Sequence, residues 1–125
     1  MDRIEAIDRW KTGAILSAAC RLGGIAVGAP SDSLEALTIY GRSLGVAYQA
    51  TDDLLDIEST PEVLGKTTGK DAQQGKLTYP AALGMDGARE LAADKAAEAK
   101  AALKGFGKEA LFLRLLADYV LTRKK

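Results

Sequence analysis

The chain has 125 residues, room for one domain with a hydrophobic core and not for two. Seventeen Lys and Arg balance seventeen Asp and Glu, and no run of like charge exceeds two residues before the terminal Arg123-Lys124-Lys125, which argues against a nucleic-acid partner. Histidine is absent and Cys20 is the lone cysteine, so imidazole-centred catalysis, intrachain disulfides and cysteine-cluster zinc sites are excluded, and any metal must be held by oxygen.

Apolar residues at Ile4, Ile7, Ala14, Ile15, Ala18, Ala19, Leu22 and Ile25 recur near helical spacing, which predicts one amphipathic helix from Ile4 to Val27. The most apolar stretch, Gly13 to Pro30, is interrupted by Arg21 and four glycines. It is too short and too broken for a transmembrane segment. Asp2 and Glu5 sit where a signal peptide needs positive charge, and Ser17 stands where a lipobox needs a large aliphatic. A soluble, cytoplasmic protein with a reduced thiol is the expectation.

Ala29-Pro30-Ser31-Asp32-Ser33 breaks the pattern, with Ser31 or Asp32 expected as the N-cap of a second helix from Leu34 to Glu58. That helix should end at Ser59-Thr60-Pro61, since proline removes a donor and restricts its predecessor. Residues from Pro61 to Thr78 carry Gly65, Gly69 and Gly75 with lysines at 66, 70 and 76, and read as a long loop. Helical patterning returns in a short piece at Pro80 to Leu83, then from Ala88 to Leu103, then from Glu109 to Leu121. No repeat and no strand is expected, so the prediction is a single all-α domain over residues 1–125.

Chemistry concentrates in Tyr48-Gln49-Ala50-Thr51-Asp52-Asp53-Leu54-Leu55-Asp56. On a helix Asp52 and Asp56 lie one above the other, with Gln49 a turn earlier and Asp53 alongside. Like charges at that spacing repel by roughly 0.2–0.5 kcal/mol per pair. Two readings fit: a solvated acidic helix face, or a site for magnesium, a hard cation that takes one or two carboxylates and bridges to phosphates. The glycine-rich loop with Lys66, Lys70 and Lys76 is either a solvated basic loop or a phosphate cradle of lysines and backbone N–H groups. It is not a P-loop, because the glycine-to-lysine spacing fails and no strand precedes it. Lys11-Thr12-Gly13 is either a snorkelling surface lysine or a third anion contact. Together the three segments make a parts list for binding a diphosphate through magnesium.

In order and spacing, Lys11-Thr12-Gly13, Tyr48-Gln49 with Asp52-Asp53-Leu54-Leu55-Asp56, and the segments Gly65-Lys66-Thr67-Thr68-Gly69-Lys70-Asp71 and Gly75-Lys76-Leu77-Thr78-Tyr79-Pro80 resemble the C-terminal half of a bacterial trans-isoprenyl diphosphate synthase (polyprenyl synthetase) of the farnesyl or geranylgeranyl type. The resemblance spans essentially the whole chain. It implies part of an isoprenoid-synthase helical bundle and a prenyltransferase that joins an allylic diphosphate to isopentenyl diphosphate using Mg2+. By resemblance, Asp52 ligates a metal with Asp53 and Asp56 in support. Lys11, Thr12, Gln49, Lys66 and Lys76 meet the allylic diphosphate, Lys11 and Lys66 together with Asp52 carrying the catalytic charge stabilisation. Asp71 orders metal waters or Lys66, and Lys70 guards the entrance.

The family's first aspartate-rich motif, and the arginines that hold isopentenyl diphosphate, belong upstream of Lys11, where this sequence has ten residues. The expectation is therefore a fragment that binds part of a substrate without turning it over, and that forms a homo-oligomer or pairs with the missing N-terminal half. The alternative is a non-catalytic helical subunit that associates with a complete synthase.

Overall fold

The structure, a computed structural model, describes residues 2–58 and 78–124. These are helical nearly throughout and contain no strand, as the all-α expectation requires. Helix α1 (Asp2–Asp8) passes through one wide π turn (Arg9–Gly13) into α2 (Ala14–Ala26). Next come α3 (Ser31–Glu58), α4 (Tyr79–Ala102), a 3-10 turn (Lys108–Ala110) and α5 (Leu111–Thr122).

The π turn corrects the expectation of one uninterrupted helix from Ile4 to Val27. A π turn inserts about one extra residue, which rotates everything after it by about 100° relative to a continuous α-helix. Ile4 is buried, yet Ile15, Leu22 and Val27 are 70%, 66% and 82% exposed. Instead α2 buries Ser17 and Gly24, with Leu16 and Cys20 packed against the core at its margin. Ile7 is 41% exposed as well, so the apolar stripe read from the sequence holds at Ile4 and fails at Ile7 and along α2.

Gly28, at φ +72, turns the chain after α2. Its neighbour Ala29 donates its N–H to the Gly24 carbonyl at 2.9 Å, as at helix ends closed by a left-handed glycine. Helix α3 starts earlier than expected: the Leu34 N–H already donates to the Pro30 carbonyl at 3.0 Å. Ser31 and Asp32 thus lie in its first turn, where Asp32 still suits the helix dipole.

Packing of α2 on α3 is set by small residues. A Cβ on Gly41 would come within 2.7 Å of the Ser17 backbone, and one on Gly45 within 2.9 Å of the Gly13 Cα. The two helices run antiparallel with backbones nearly touching at those points. Across the bond line, Ser17 Oγ donates to the Thr38 carbonyl at 3.1 Å, and Arg21 Nη1 donates to Thr38 Oγ1 at 2.8 Å.

The other face of α3 packs against α4, whose Ala88, Ala92, Ala96 and Ala99 repeat at three- and four-residue spacing and are all buried. Small side chains there admit the larger Tyr40, Leu44 and Leu54 of α3. Thr78 caps α4 by accepting from the Ala81 N–H at 3.2 Å, with Pro80 in the first turn. Gly84, at φ +80, kinks the helix, which separates the expected short piece from the longer segment after it. Helix α5 is pinned by Tyr40, whose hydroxyl donates to the Leu113 carbonyl at 2.9 Å. Arg114 donates to the carbonyls of Leu103, Phe106 and Gly107, tying α5 to the turn that follows α4.

Candidate functional site

The close approach of Gly13 and Gly45 decides where the polar segments meet. Because α2 and α3 are antiparallel, the residues just before Gly13 lie beside those just after Gly45. The π turn that carries Lys11 and Thr12 therefore packs on α3 at Gly45, one turn before Tyr48 and Gln49. Lys11 is exposed and Thr12 half-buried. Widened turns of this kind re-aim side chains within a helix.

From Gln49 onward α3 presents its acidic stretch. Asp53 is 9% exposed, and both of its oxygens are engaged. Oδ1 accepts from Gln49 Nε2 at 2.9 Å, and Oδ2 accepts from the Tyr79 N–H at 3.1 Å. Two donors to an ionised carboxylate are charge-assisted bonds, so Asp53 is tied into the junction of α3 with the first turn of α4. Gln49 is occupied on the same junction.

Asp52 and Asp56 are half-buried, four residues apart, and stack on one side of α3. Beside Asp52 lies a cation that the sequence reading did not name. Arg123, just beyond α5, reaches across so that its guanidinium stands 4.3 Å from the centroid of the Tyr48 ring. Its Nη2 donates to the Tyr48 carbonyl at 3.2 Å and lies 3.9 Å from Asp52 Oδ1. Arg123 belongs to the single run of three like charges in the sequence, which was the signal available.

The donor set suits a hard cation: half-buried carboxylate oxygens on one helix face, with neither sulfur nor imidazole. Two carboxylates match what Mg2+ takes while keeping its waters. Among the described residues no group of three or more His, Cys, Asp or Glu is placed to hold a metal ion, in keeping with Asp53 being turned toward Tyr79. Lys66, Lys70, Asp71 and Lys76 lie outside the described residues. No helix among the described residues is long and apolar enough to cross a membrane.

The family model for polyprenyl synthetase matches residues 1–114. The chain belongs to the polyprenyl synthetase family. It is 42% identical to the farnesyl diphosphate synthase of Escherichia coli K12 across its full length, and spans 43% of that protein. It is 45% identical over 96% of its length to a dimethylallyltranstransferase of Fischerella ambigua, spanning 35% of it. It is 42% identical over 98% of its length to chloroplastic geranylgeranyl pyrophosphate synthase 9 of Arabidopsis thaliana, spanning 34% of it. In three dimensions it resembles a crystal structure of a candidate farnesyl-diphosphate synthase from Marinomonas sp. MED121, with a TM-score of 0.77 and 30% identity over 97% of this chain and 40% of that one. The polyprenyl synthetase bundle is thus the fold of this chain, which spans less than half the length of the relatives it matches.

Proposed function

We propose that this polyprenyl synthetase chain supplies the C-terminal share of a prenyl diphosphate synthase active site. The reaction is condensation of an allylic diphosphate with isopentenyl diphosphate to give a longer prenyl diphosphate. The observation that carries the proposal is the Gly13–Gly45 approach, which sets the turn bearing Lys11 and Thr12 against the part of α3 that leads into Gln49 and the aspartates. In this reading cation, hydroxyl, amide and carboxylates from two separate stretches of sequence serve one ligand.

In this reading Asp52, with Asp56 one turn on, holds Mg2+, and Asp53 supports them by fixing the end of α3 against α4. Bound magnesium neutralises the charge that develops on the departing diphosphate. Lys11 supplies a cation to the same oxygens, and Thr12 and Gln49 orient the diphosphate through hydrogen bonds. Lys66 and Lys76 are proposed as further contacts to the allylic diphosphate, with Asp71 ordering Lys66 and Lys70 at the entrance. Preorganised charge of this kind is worth far more in a water-poor cleft than in bulk solvent.

The isopentenyl diphosphate site is proposed to come from elsewhere, through pairing with an N-terminal half or a second chain. The exposed Ile15, Leu22 and Ile25 on α2, with Val27 just after it, give such a partner an apolar face to cover. On this reading the chain alone binds an allylic diphosphate and does not transfer it. A cytoplasmic setting, with Cys20 reduced, belongs to the same proposal.

The test is calorimetric binding of an allylic diphosphate with and without Mg2+, repeated on Asp52→Ala. Magnesium-dependent binding that vanishes in the variant supports the proposal. A folded chain that binds nothing supports the alternative, a non-catalytic subunit of a complete synthase.

A further inference from the structure

Arg123 is held by contacts that do not depend on a metal or a substrate. Its side chain is 12% exposed, stacked on the Tyr48 ring and bonded to the Tyr48 carbonyl. Its Nε is buried and has no hydrogen-bond partner among the described residues. A guanidinium stays charged at any ordinary pH, so the position carries a permanent positive charge 3.9 Å from Asp52 Oδ1. That distance is too long for a hydrogen bond, so Arg123 acts on the Asp52 carboxylate through its charge. Helix α5 delivers this charge to α3 from 75 residues away in sequence.

We propose that Arg123 is a fixed counter-cation of the Asp52–Asp56 face, one that biases the face against a bare divalent ion and toward a metal already carrying diphosphate. The argument is one of charge. A bare Mg2+ or Mn2+ approaching Asp52 is repelled by the guanidinium, which cannot move away without giving up Tyr48. A metal–diphosphate complex carries net negative charge, and the same guanidinium attracts it. Without ligand, the positive charge offsets the mutual repulsion of Asp52 and Asp56 on one helix face. Arg123 is thus a positioning residue that sets the order in which the site fills. The proposal rests on the reading that Asp52 is a metal ligand.

Two titrations test it: Mn2+ alone, followed by its electron paramagnetic resonance signal, and inorganic diphosphate in the presence of Mn2+, followed by calorimetry. Both are run on the wild-type chain, Arg123→Gln, Arg123→Lys and Asp52→Asn, with helicity checked by circular dichroism. For Arg123→Gln, the expected result is bare Mn2+ bound tighter by about 3- to 30-fold and Mn2+-dependent diphosphate bound weaker by a similar factor, the size of a unit charge near a protein surface. Arg123→Lys keeps the charge and should lie between glutamine and wild type in both titrations. Opposite signs are the signature, since a variant that merely loosens the end of α5 weakens both. Arg123→Gln shifting both titrations in the same direction, or neither, overturns the proposal while leaving Asp52 as a ligand. Mn2+ binding that Asp52→Asn leaves unchanged overturns the reading of the site, and the counter-cation with it.

Discussion

Asp53 and Tyr79, 26 positions apart, are joined by a 3.1 Å bond from the Tyr79 backbone N–H to the Asp53 carboxylate. The bond closes the span between the last turns of α3 and the first turn of α4, and Gln49 holds the other oxygen. Neighbouring aspartates therefore do different work: Asp53 faces inward to a backbone donor, and Asp52 faces Arg123. We expect Asp53→Ala to cost about 1–3 kcal/mol in urea unfolding, the range for stranding a buried donor. Asp52→Asn should change stability by less than about 1 kcal/mol, as for partly exposed pairs. A larger loss from Asp52→Asn than from Asp53→Ala would reverse the assignment.

Tyr40 gives the fold an alkaline limit. Burial first, and the nearby Cys20 thiolate second, push its hydroxyl from its ordinary value of 10.0 up to about 12. The raised value belongs to the folded state, so this contribution to stability is complete below about pH 10, the unfolded pKa, and is lost as pH rises through about 12. Absorbance titration should show a late tyrosine step near pH 12 that accompanies the loss of helicity. Tyr40→Phe removes that late step and the bond to Leu113, at a cost of about 1 kcal/mol at neutral pH.

Much of this fold was legible because its helices announce themselves. Proline and the glycines mark the breaks, as Gly28 after α2 and Gly84 within α4 show, while the expected stop at Ser59-Thr60-Pro61 lies outside the described residues. What was hidden has a physical cause in each case. The π turn at Arg9–Gly13 leaves no mark in apolar spacing, since the isoleucines and leucines of α2 repeat helically whether they face in or out. The approach of the Lys11-Thr12 turn to α3 follows from two glycines in different helices, which spacing within one helix does not reveal. Arg123 reaches Tyr48 and Asp52 only after α5 has packed, and its sequence neighbourhood reads as a solvated basic tail. The Gln49–Asp53 pair was legible as an i, i+4 contact, but not the Tyr79 N–H that makes Asp53 an internal tie.

The exposed face of α2 should drive association. Leu22 and Ile25 line a groove of about 580 Å³ with Ala14, Ala18 and the stems of Arg21 and Arg42, and a run of uncovered aliphatic side chains favours burial against a partner. We expect the wild-type chain to sediment as an oligomer at micromolar concentration, and Leu22→Glu to shift it toward monomer with little change in helicity. A wild-type chain that sediments as a clean monomer rules out association through this face.

The joint between α2 and α3 ties stability to the site, and its two glycines separate the two effects. A methyl group at Gly41 would meet the Ser17 backbone at 2.7 Å, and one at Gly45 the Gly13 Cα at 2.9 Å. Backbone cannot yield as a flexible side chain does, so Gly41→Ala and Gly45→Ala should each cost about 1–3 kcal/mol, the usual penalty for overpacking. Gly41 lies a turn further from the polar cluster, next to Ser17 and its bond to Thr38. Gly45 lies against the residue that follows Lys11 and Thr12. Forcing the helices apart at Gly45 moves that pair away from Gln49 and Asp52, whereas forcing them apart at Gly41 acts mainly on the far end of the joint. Gly45→Ala should therefore weaken magnesium-dependent binding of an allylic diphosphate by about 10-fold or more, since small displacements of positioning groups are expensive, and Gly41→Ala by distinctly less at equal loss of stability. Equal losses of binding in the two variants would mean that Lys11 and Thr12 do not reach the ligand, and that the aspartates of α3 and the loop lysines bind it without them.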